Sequence, residues 1–414
     1  MGISYGPSIA TSGLIFHYDM GNTSKSFKGK PTTNLNSEDI PDLEQIGPPT
    51  LTQYSSPTPI GTTAYTVTDS STSNYQYIRR LGVATIPDDT STYYLSLYVR
   101  KQAGAERFGI NWGFVGGGTP ISNNSRFNTQ TGVTTGSGTV GGSVVDLGEW
   151  WRWIVTSSNN ATGNTSLNVN IYPAAGQNGS DDPTATGTVV ISALQVETGS
   201  FATPYVNGTR SNTQAIVDLT GNNTITATSL TYNNDNTFTF DNTLDKLNIA
   251  VSSSAQIGVG NPMSYCGWVK VKSSQNNSFP YILQWGESCL LHTSQTPSTN
   301  PVLAMNVYTA GGFEQISFSD FFLGAADTTW VHFACTWDGT SVQRMYKNGI
   351  EVAGANQTTT TTDATGSSAA IGSNLIDNNR NFNGDISVVQ VYNRALSQAE
   401  VAQNFNASRA RFGI

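Results

Sequence analysis

Through most of its length the chain alternates apolar and polar residues with a period of two, in short runs broken by clusters of Gly, Asn, Ser and Thr. Such a period puts successive side chains on opposite faces of an extended strand, and the clusters between runs supply turns. From about Thr62 to Gly199 the runs are AYTVTD, YQYIRRL, YYLSLYVRK, RFGINWGFV, SVVDLGEWWRWIVTS, SLNVNIYP and TVVISALQVE. In YYLSLYVRK, Tyr93, Leu95, Leu97 and Val99 share the face expected in the core, and Tyr94, Ser96, Tyr98 and Arg100 share the other. Phe108, Ile110, Trp112 and Phe114 form a second core face, and Trp151, Trp153 and Val155 a third. A further series, from about Thr224 to Asn393, includes TFTFDN, KLNIAVS, MSYCGWVKVK, YILQWGE, VLAMNVYT, EQISFS, WVHFACTWDG and DISVVQVYN. No strand–helix–strand pattern interrupts either series, so the expected class is all-β, two jelly-roll β-sandwiches with one short C-terminal helix. That helix is read from LSQAEVAQNFNASRAR, where Ser397 and Glu400 form a capping box and Leu396 and Val401 a hydrophobic staple.

At 414 residues the chain is longer than one core usually supports. Only 12% of residues are charged and the net charge is −8, so a phosphate-backbone or anionic membrane partner, which would need clustered Lys and Arg, is not expected. No apolar run approaches the ~20 residues that span a bilayer, and the start MGISYGPSIATSG lacks a signal-peptide pattern. Cys266, Cys289 and Cys335 sit in strand-like runs without metal-ligand spacing and read as reduced core thiols.

The segment TTWVHFACTWDGTSVQRMYKNGIEVAG resembles the signature of concanavalin-A-like, laminin-G-type jelly rolls, with Trp330, His332, Asp338, Gly339, Tyr346, Asn348 and Gly349 at the matching positions. The continuation FNGDISVVQVYNRALSQAEVAQNF is similar to the closing strand and helix of that family, through Gly384, Asp385, Tyr392, Arg394, Ala395, Leu396 and Ser397. The family opens with an apolar strand followed soon by a D-L-S-G-N element. Here the opening strand is Gly13 to Asn22, whereas DLTGNN comes only at Asp218. The resemblance therefore implies a discontinuous domain, 1–33 plus 209–414, with 34–208 inserted. Within 34–208, YYLSLYVRK, DLGEWWRWIVT and ALQVETGSFATPYV resemble strands of the carbohydrate-binding-module-like jelly rolls of phage tail proteins. If the opening strand belongs to the C-terminal sandwich, Leu14, Phe16 and Tyr18 should alternate onto its core face.

Candidate chemistry is sparse. The glucanase relatives of this fold carry an E-x-D-x-x-E strand, because retaining hydrolysis needs two carboxyls about 5–5.5 Å apart, and no such triplet occurs. His17, His292 and His332 are scattered, and no nucleophile elbow, Walker loop or H-E-x-x-H is present. The chain is therefore read as a non-enzyme. Sugar binding uses aromatic faces against C–H groups and polar side chains for hydroxyls, and the outward set Tyr94, Tyr98 and Arg100 with Arg152 is the candidate. Calcium, common among relatives, would find its oxygen ligands at Asp241 and Asp245 and at Asp385 before the closing strand.

The paired modules and the opening GLIFHYDMGNTSKSFKGKPTTNL resemble bacteriophage structural proteins. The resemblance implies a virion-surface protein assembled in the host cytoplasm: a fibre, tail or other appendage component that contacts host surface polysaccharide. The alternative is a capsid-decoration, head-fibre or baseplate protein with a purely structural role. Expected partners are other virion proteins and further copies of the chain, with no nucleic acid and no membrane.

Overall fold

The structure is a computed structural model that describes all residues except 1–7, 24, 57, 103–107, 138–140, 177–181, 234–237, 259, 276–278, 287–288, 294–301, 310–311, 357–365 and 376–378. Part of the glycine-rich loop near 138–140 and the side chain of Cys289 thus lie outside the description. The chain divides into two compact units, one of Met1–Pro31 with Ser211–Ile414, the other of Thr32–Arg210. Among the described residues both are built of antiparallel strands, as the alternation requires.

The Thr32–Arg210 unit has two six-stranded sheets. One runs in the order Thr134–Ser137, Ile121–Phe127, Phe108–Val115, Ser166–Tyr172, Tyr77–Arg80, Glu44–Ile46; the other runs Gly141–Asp146, Trp150–Ser158, Thr92–Arg100, Gly187–Thr198, Ala64–Asp69, Thr50–Tyr54. Tyr93, Leu95, Leu97 and Val99 meet Phe108, Ile110, Trp112 and Phe114 in one core together with Trp153 and Val155, whereas Trp151 is only partly buried at its margin. The run SVVDLGEWWRWIVTS is two strands, because Gly148 turns at φ 82° between them. The first and last strands of the unit, Thr32–Thr33 and Thr209–Arg210, pair with each other, so its two ends lie side by side.

The other unit packs an eight-stranded sheet on a seven-stranded one. In the larger sheet Asn383–Tyr392 is central: Met263–Val271 pairs along one side, while Phe238–Asp241 and Leu14–Asp19 follow one another along the other. The order continues through Val331–Trp337, Val342–Lys347 and Ile350–Asn356. Asn348 (φ 49°) and Gly349 (φ 82°) make the tight hairpin turn expected of Asn-Gly, and Asp338 accepts the backbone N–H groups of Thr340, Ser341 and Val342 at its own turn.

The opening strand departs from simple alternation. Leu14 lies opposite Tyr392 but Phe16 opposite Val391, so Ile15 is an extra residue at a bulge. Ile15, Phe16 and Tyr18 enter the core, while Leu14 turns to the sheet's other face beside Ala10, Tyr392, Leu396 and Val401. The expectation that Leu14 shares the core face is thereby corrected.

The helix Gln398–Ser408 covers that second face. Its capping box is formed by Ser397 and Glu400, and Glu400 also pairs with Arg394 at 2.6 Å, which holds its carboxyl down at about 2. Trp268 packs against Phe405 and Phe412, with ring centroids 5.7 and 4.1 Å away. Cys266 and Cys335 are buried and unbridged, as free core thiols should be.

A candidate glycan face on the seven-stranded sheet

The four residues expected to bind sugar share one face of the Thr92–Arg100 and Trp150–Ser158 strands, with Tyr98 directly opposite Arg152. The structure covers the middle of that face. Gln195, Glu197 and Thr203, from the closing motif, explain how: Glu197 accepts the backbone N–H and the hydroxyl of Thr203, each at 2.7 Å, and Gln195 accepts Val206 N–H at 2.7 Å. These bonds clamp the segment after Thr198 over the sheet. Arg152 donates to Ser96 Oγ at 3.0 Å and to Thr203 O, and it is buried. Tyr98 is buried with Ala64, Trp150 and Val190. Tyr94 donates to Ser200 O at 2.8 Å, and Arg100 lies over the Tyr54 ring at 5.2 Å; both are half-buried. The two residues at the centre of the expected platform are therefore committed to holding the closing segment.

The calcium candidates are not gathered as an oxygen cage. Asp241 and Asp245 bracket one turn, where Asp241 N–H donates to Asp245 Oδ2 at 3.1 Å. Burial and the shared hydrogen bond with Asp241 push the Asp245 carboxyl up to about 7, so it carries a proton near neutrality. Asp385 lies within the closing strand and not before it, opposite Thr239; it pairs with Lys270 at 2.8 Å and accepts from Thr239 Oγ1 at 3.0 Å. Among the described residues no group of three or more His, Cys, Asp or Glu is placed to hold a metal. A calcium shell draws several oxygens together, and among the described residues these three carboxyls are not so gathered. Nor does the Asp241–Asp245 pair fit glycoside hydrolysis, which needs two carboxyls standing apart across a substrate.

A better-formed face lies on the outside of the seven-stranded sheet. Its strands run Thr224–Thr228, Lys246–Ala250, Ser368–Ile371, Tyr281–Trp285, Cys289–Thr293, Leu303–Thr309, Gly312–Phe318. In the last two, Leu303, Met305, Val307 and Ile316 fill the core. Alternation therefore sends Asn306, Tyr308, Phe313 and Gln315 outward. Register completes the set: His292 lies opposite Tyr281, Asn306 opposite Gln315, and Tyr308 opposite Phe313. Phe279 and Arg380 close the edge from loops. Together these residues line a hollow of about 210 Å³.

Its geometry suits a small polyhydroxylated ligand. Phe279 and Phe313 are 44% and 55% exposed, so much of each large ring meets solvent. The Phe279 ring stands edge-on to His292, centroids 5.3 Å apart, and Tyr308 is 6.1 Å from Phe313. Phe279 has φ 54°, a left-handed backbone that a bulky residue rarely adopts and one that places its ring at the rim. Beneath, His292 is buried, and burial lowers its pKa, so the ring is neutral at pH 7. A neutral imidazole has one N–H. Nδ1 lies 3.1 Å from Thr293 O and Nε2 3.4 Å from Asn306 Oδ1; both are acceptors, so the single N–H serves one of them at a time. Of the other hollows, one of about 400 Å³ in the Thr32–Arg210 unit is lined by Glu38, Asp39, Asp42, Asn36 and Thr62, with Tyr205 as its one aromatic wall among the described residues. It offers charge without a stacking platform.

The sandwich that holds this face has a jelly-roll fold of the concanavalin A-like, laminin-G type. Residues 248–402 match the family model described as the Concanavalin A-like lectin/glucanases superfamily. The match contains Trp330 through Gly349 and Gly384 through Ser397, so the fold resemblance drawn from those motifs is borne out. Among solved structures the chain is similar to the botulinum neurotoxin serotype D binding domain, at 14% identity and TM-score 0.37, over 47% of this chain and 49% of that one. It is similar also to the serotype D/C VPI 5993 binding domain, at 15% and 0.37, over 48% and 50%. A third is the serotype D ligand binding domain in complex with N-acetylneuraminic acid, at 14% and 0.37, over 47% and 49%. The chain spans about half the length of these structures. Likeness at this level carries neither ligand nor role across. No curated protein matches the chain.

Proposed function

We propose that this protein is a non-enzymatic, glycan-binding surface component of a bacteriophage particle, and that the hollow between Phe279 and Phe313 is where it meets host polysaccharide. The observation that carries the glycan reading is the convergence of exposed rings with the amides of Asn306 and Gln315 and the guanidinium of Arg380 on one hollow. Aromatic faces pack on sugar C–H groups, and amides both donate to and accept from hydroxyls. The particle setting is supported by the resemblance of GLIFHYDMGNTSKSFKGKPTTNL and of the Thr62 to Gly199 strands to phage structural modules. Fibre, tail or other appendage, in contact with further virion proteins and with copies of itself, is the placement this reading favours.

Purified protein on an array of bacterial surface polysaccharides should retain a subset of them. Replacing Phe313 by Ala should weaken that retention about tenfold, the loss expected of one aromatic stacking contact, without lowering the melting temperature. Retention of no glycan, or equal retention by the Phe313→Ala protein, would contradict the reading.

A further inference from the structure

We propose that His292 is a positioning residue of this hollow: the imidazole sets the orientation of the Asn306 amide, and its protonation tightens the hold on a glycan as the medium becomes acidic. This rests on the glycan reading of the hollow and adds its regulation. His292 is 5% exposed, with Nδ1 3.1 Å from Thr293 O and Nε2 3.4 Å from Asn306 Oδ1, so each ring nitrogen meets an acceptor. A neutral imidazole has one N–H and must set a lone pair against one of these two oxygens, whereas an imidazolium donates to both. Thr293 O belongs to the backbone of a strand paired on Leu303 and cannot turn. The mismatch of the neutral state therefore falls on Asn306, whose amide can rotate end for end about its own side-chain bond.

Asn306 is 7% exposed and lines the hollow. A protonated ring pins its Oδ1 and leaves the amide one orientation, with its N–H groups as donors for sugar oxygens. A neutral ring leaves two orientations in competition, and a ligand must then select one of them. Around the ring, Tyr281 lies opposite on one neighbouring strand and Ala304 on the other, the Phe279 ring stands edge-on, and Tyr308 lines the same hollow. Among the described residues Arg380 is the one charged group acting on the ring. Burial, and after it the hydrogen bonds to Thr293 and Asn306 and the Arg380 charge, set its pKa, with the net effect of lowering it from 6.5. The protonation that matters thus takes place below pH 6.5, and affinity rises as the pH falls through it. By linkage, a ligand that binds the protonated form better makes His292 easier to protonate.

The test takes a polysaccharide retained on the array and follows its binding to the full chain between pH 7.5 and 4.5. Wild type should bind about threefold tighter at the acid end, within what one hydrogen bond is worth. His292→Gln keeps a donor amide but has nothing to protonate, and Asn306→Leu removes the oxygen that the ring holds, so both should lose the threefold gain. His17 and His332 remain in these variants, so a change that those rings cause on acidification appears in all three proteins. In wild type labelled at histidine, the His292 imidazole should titrate about half a pH unit higher with an oligosaccharide fragment of that ligand bound, the reciprocal of the threefold gain. Should either variant fail to fold, this titration decides by itself. Wild-type binding that is flat with pH, a gain that persists in His292→Gln, or an imidazole that titrates no higher with ligand bound overturns the proposal and leaves the glycan reading standing. An array that retains nothing removes the glycan reading itself and this proposal with it.

Discussion

His332 shows how a residue's environment decides its role. In the sequence it is one of three scattered histidines, and a packed ring is the expectation for it. The structure puts it between Trp268 and Phe405, fully buried, with Nδ1 lacking any partner among the described residues. Burial drives its pKa down to about 3 from 6.5. Because the folded value lies below the unfolded one, the neutral ring's contribution is complete above pH 6.5 and is lost as the pH falls from 6.5 toward 3. Across that window the unfolded chain takes up a proton that the folded one refuses, at up to about 1.4 kcal/mol per pH unit. Urea melts at pH 7.5 and 4.5 should show wild type losing more stability on acidification than His332→Leu, whose aliphatic side chain needs no proton. Parallel losses in the two proteins would show that the ring is not held neutral. Site residues were less legible at this scale. Tyr98 and Arg152 point outward by alternation, as read, but alternation is blind to a distant segment, 51 residues on from Arg152 at Thr203, that folds over them. Phe279 and Arg380 sit in loops and join the hollow only through long-range register, so no local pattern marks them. Asn306, Tyr308, Phe313 and Gln315, in contrast, follow from the alternation of VLAMNVYT and FEQISF once the core face is fixed by Leu303 and Met305.

At the scale of elements, strands and turns are the readable part, because period-two alternation and Asn-Gly or Asp-Gly pairs act locally. What alternation misses are its interruptions: the bulge at Ile15, the break at Ser229 (φ 57°) that divides TITATSLTY, and the short strands Glu44–Ile46 and Thr50–Tyr54. The strand Leu14–Asp19 is the element on which the organisation of the chain turns. It pairs with the closing strand Asn383–Tyr392 and buries Ile15, Phe16 and Tyr18, the phenol of Tyr18 donating to Ile386 O at 3.0 Å. We propose that Thr32–Arg210 is an independent sandwich inserted into the other. Deleting residues 1–22 removes four large buried side chains, Ile15, Phe16, Tyr18 and Met20, worth roughly 1.5–3 kcal/mol each, and opens a strand edge, so the remaining chain should lose one cooperative transition or aggregate. Excising 34–208 and joining the ends with a short Gly/Ser linker should leave a cooperatively melting protein. Calorimetry on both shortened chains checks the pair. An unaffected first chain, or an unfolded second one, would contradict the insertion.

For the whole molecule, the proposed binding belongs to the outer face of the seven-stranded sheet, while the face around Tyr98 and Arg152 is covered by the closing segment. The two assignments are separable because they occupy different units of the chain. Hydrogen–deuterium exchange with and without a retained polysaccharide reads them directly. Exchange should slow in peptides spanning Tyr281–Trp285, Cys289–Thr293, Leu303–Thr309 and Gly312–Phe318, with no change across Thr92–Arg100 and Trp150–Ser158. Protection confined to the Thr92–Arg100 and Trp150–Ser158 strands would contradict it and return the site to the tyrosine and arginine face.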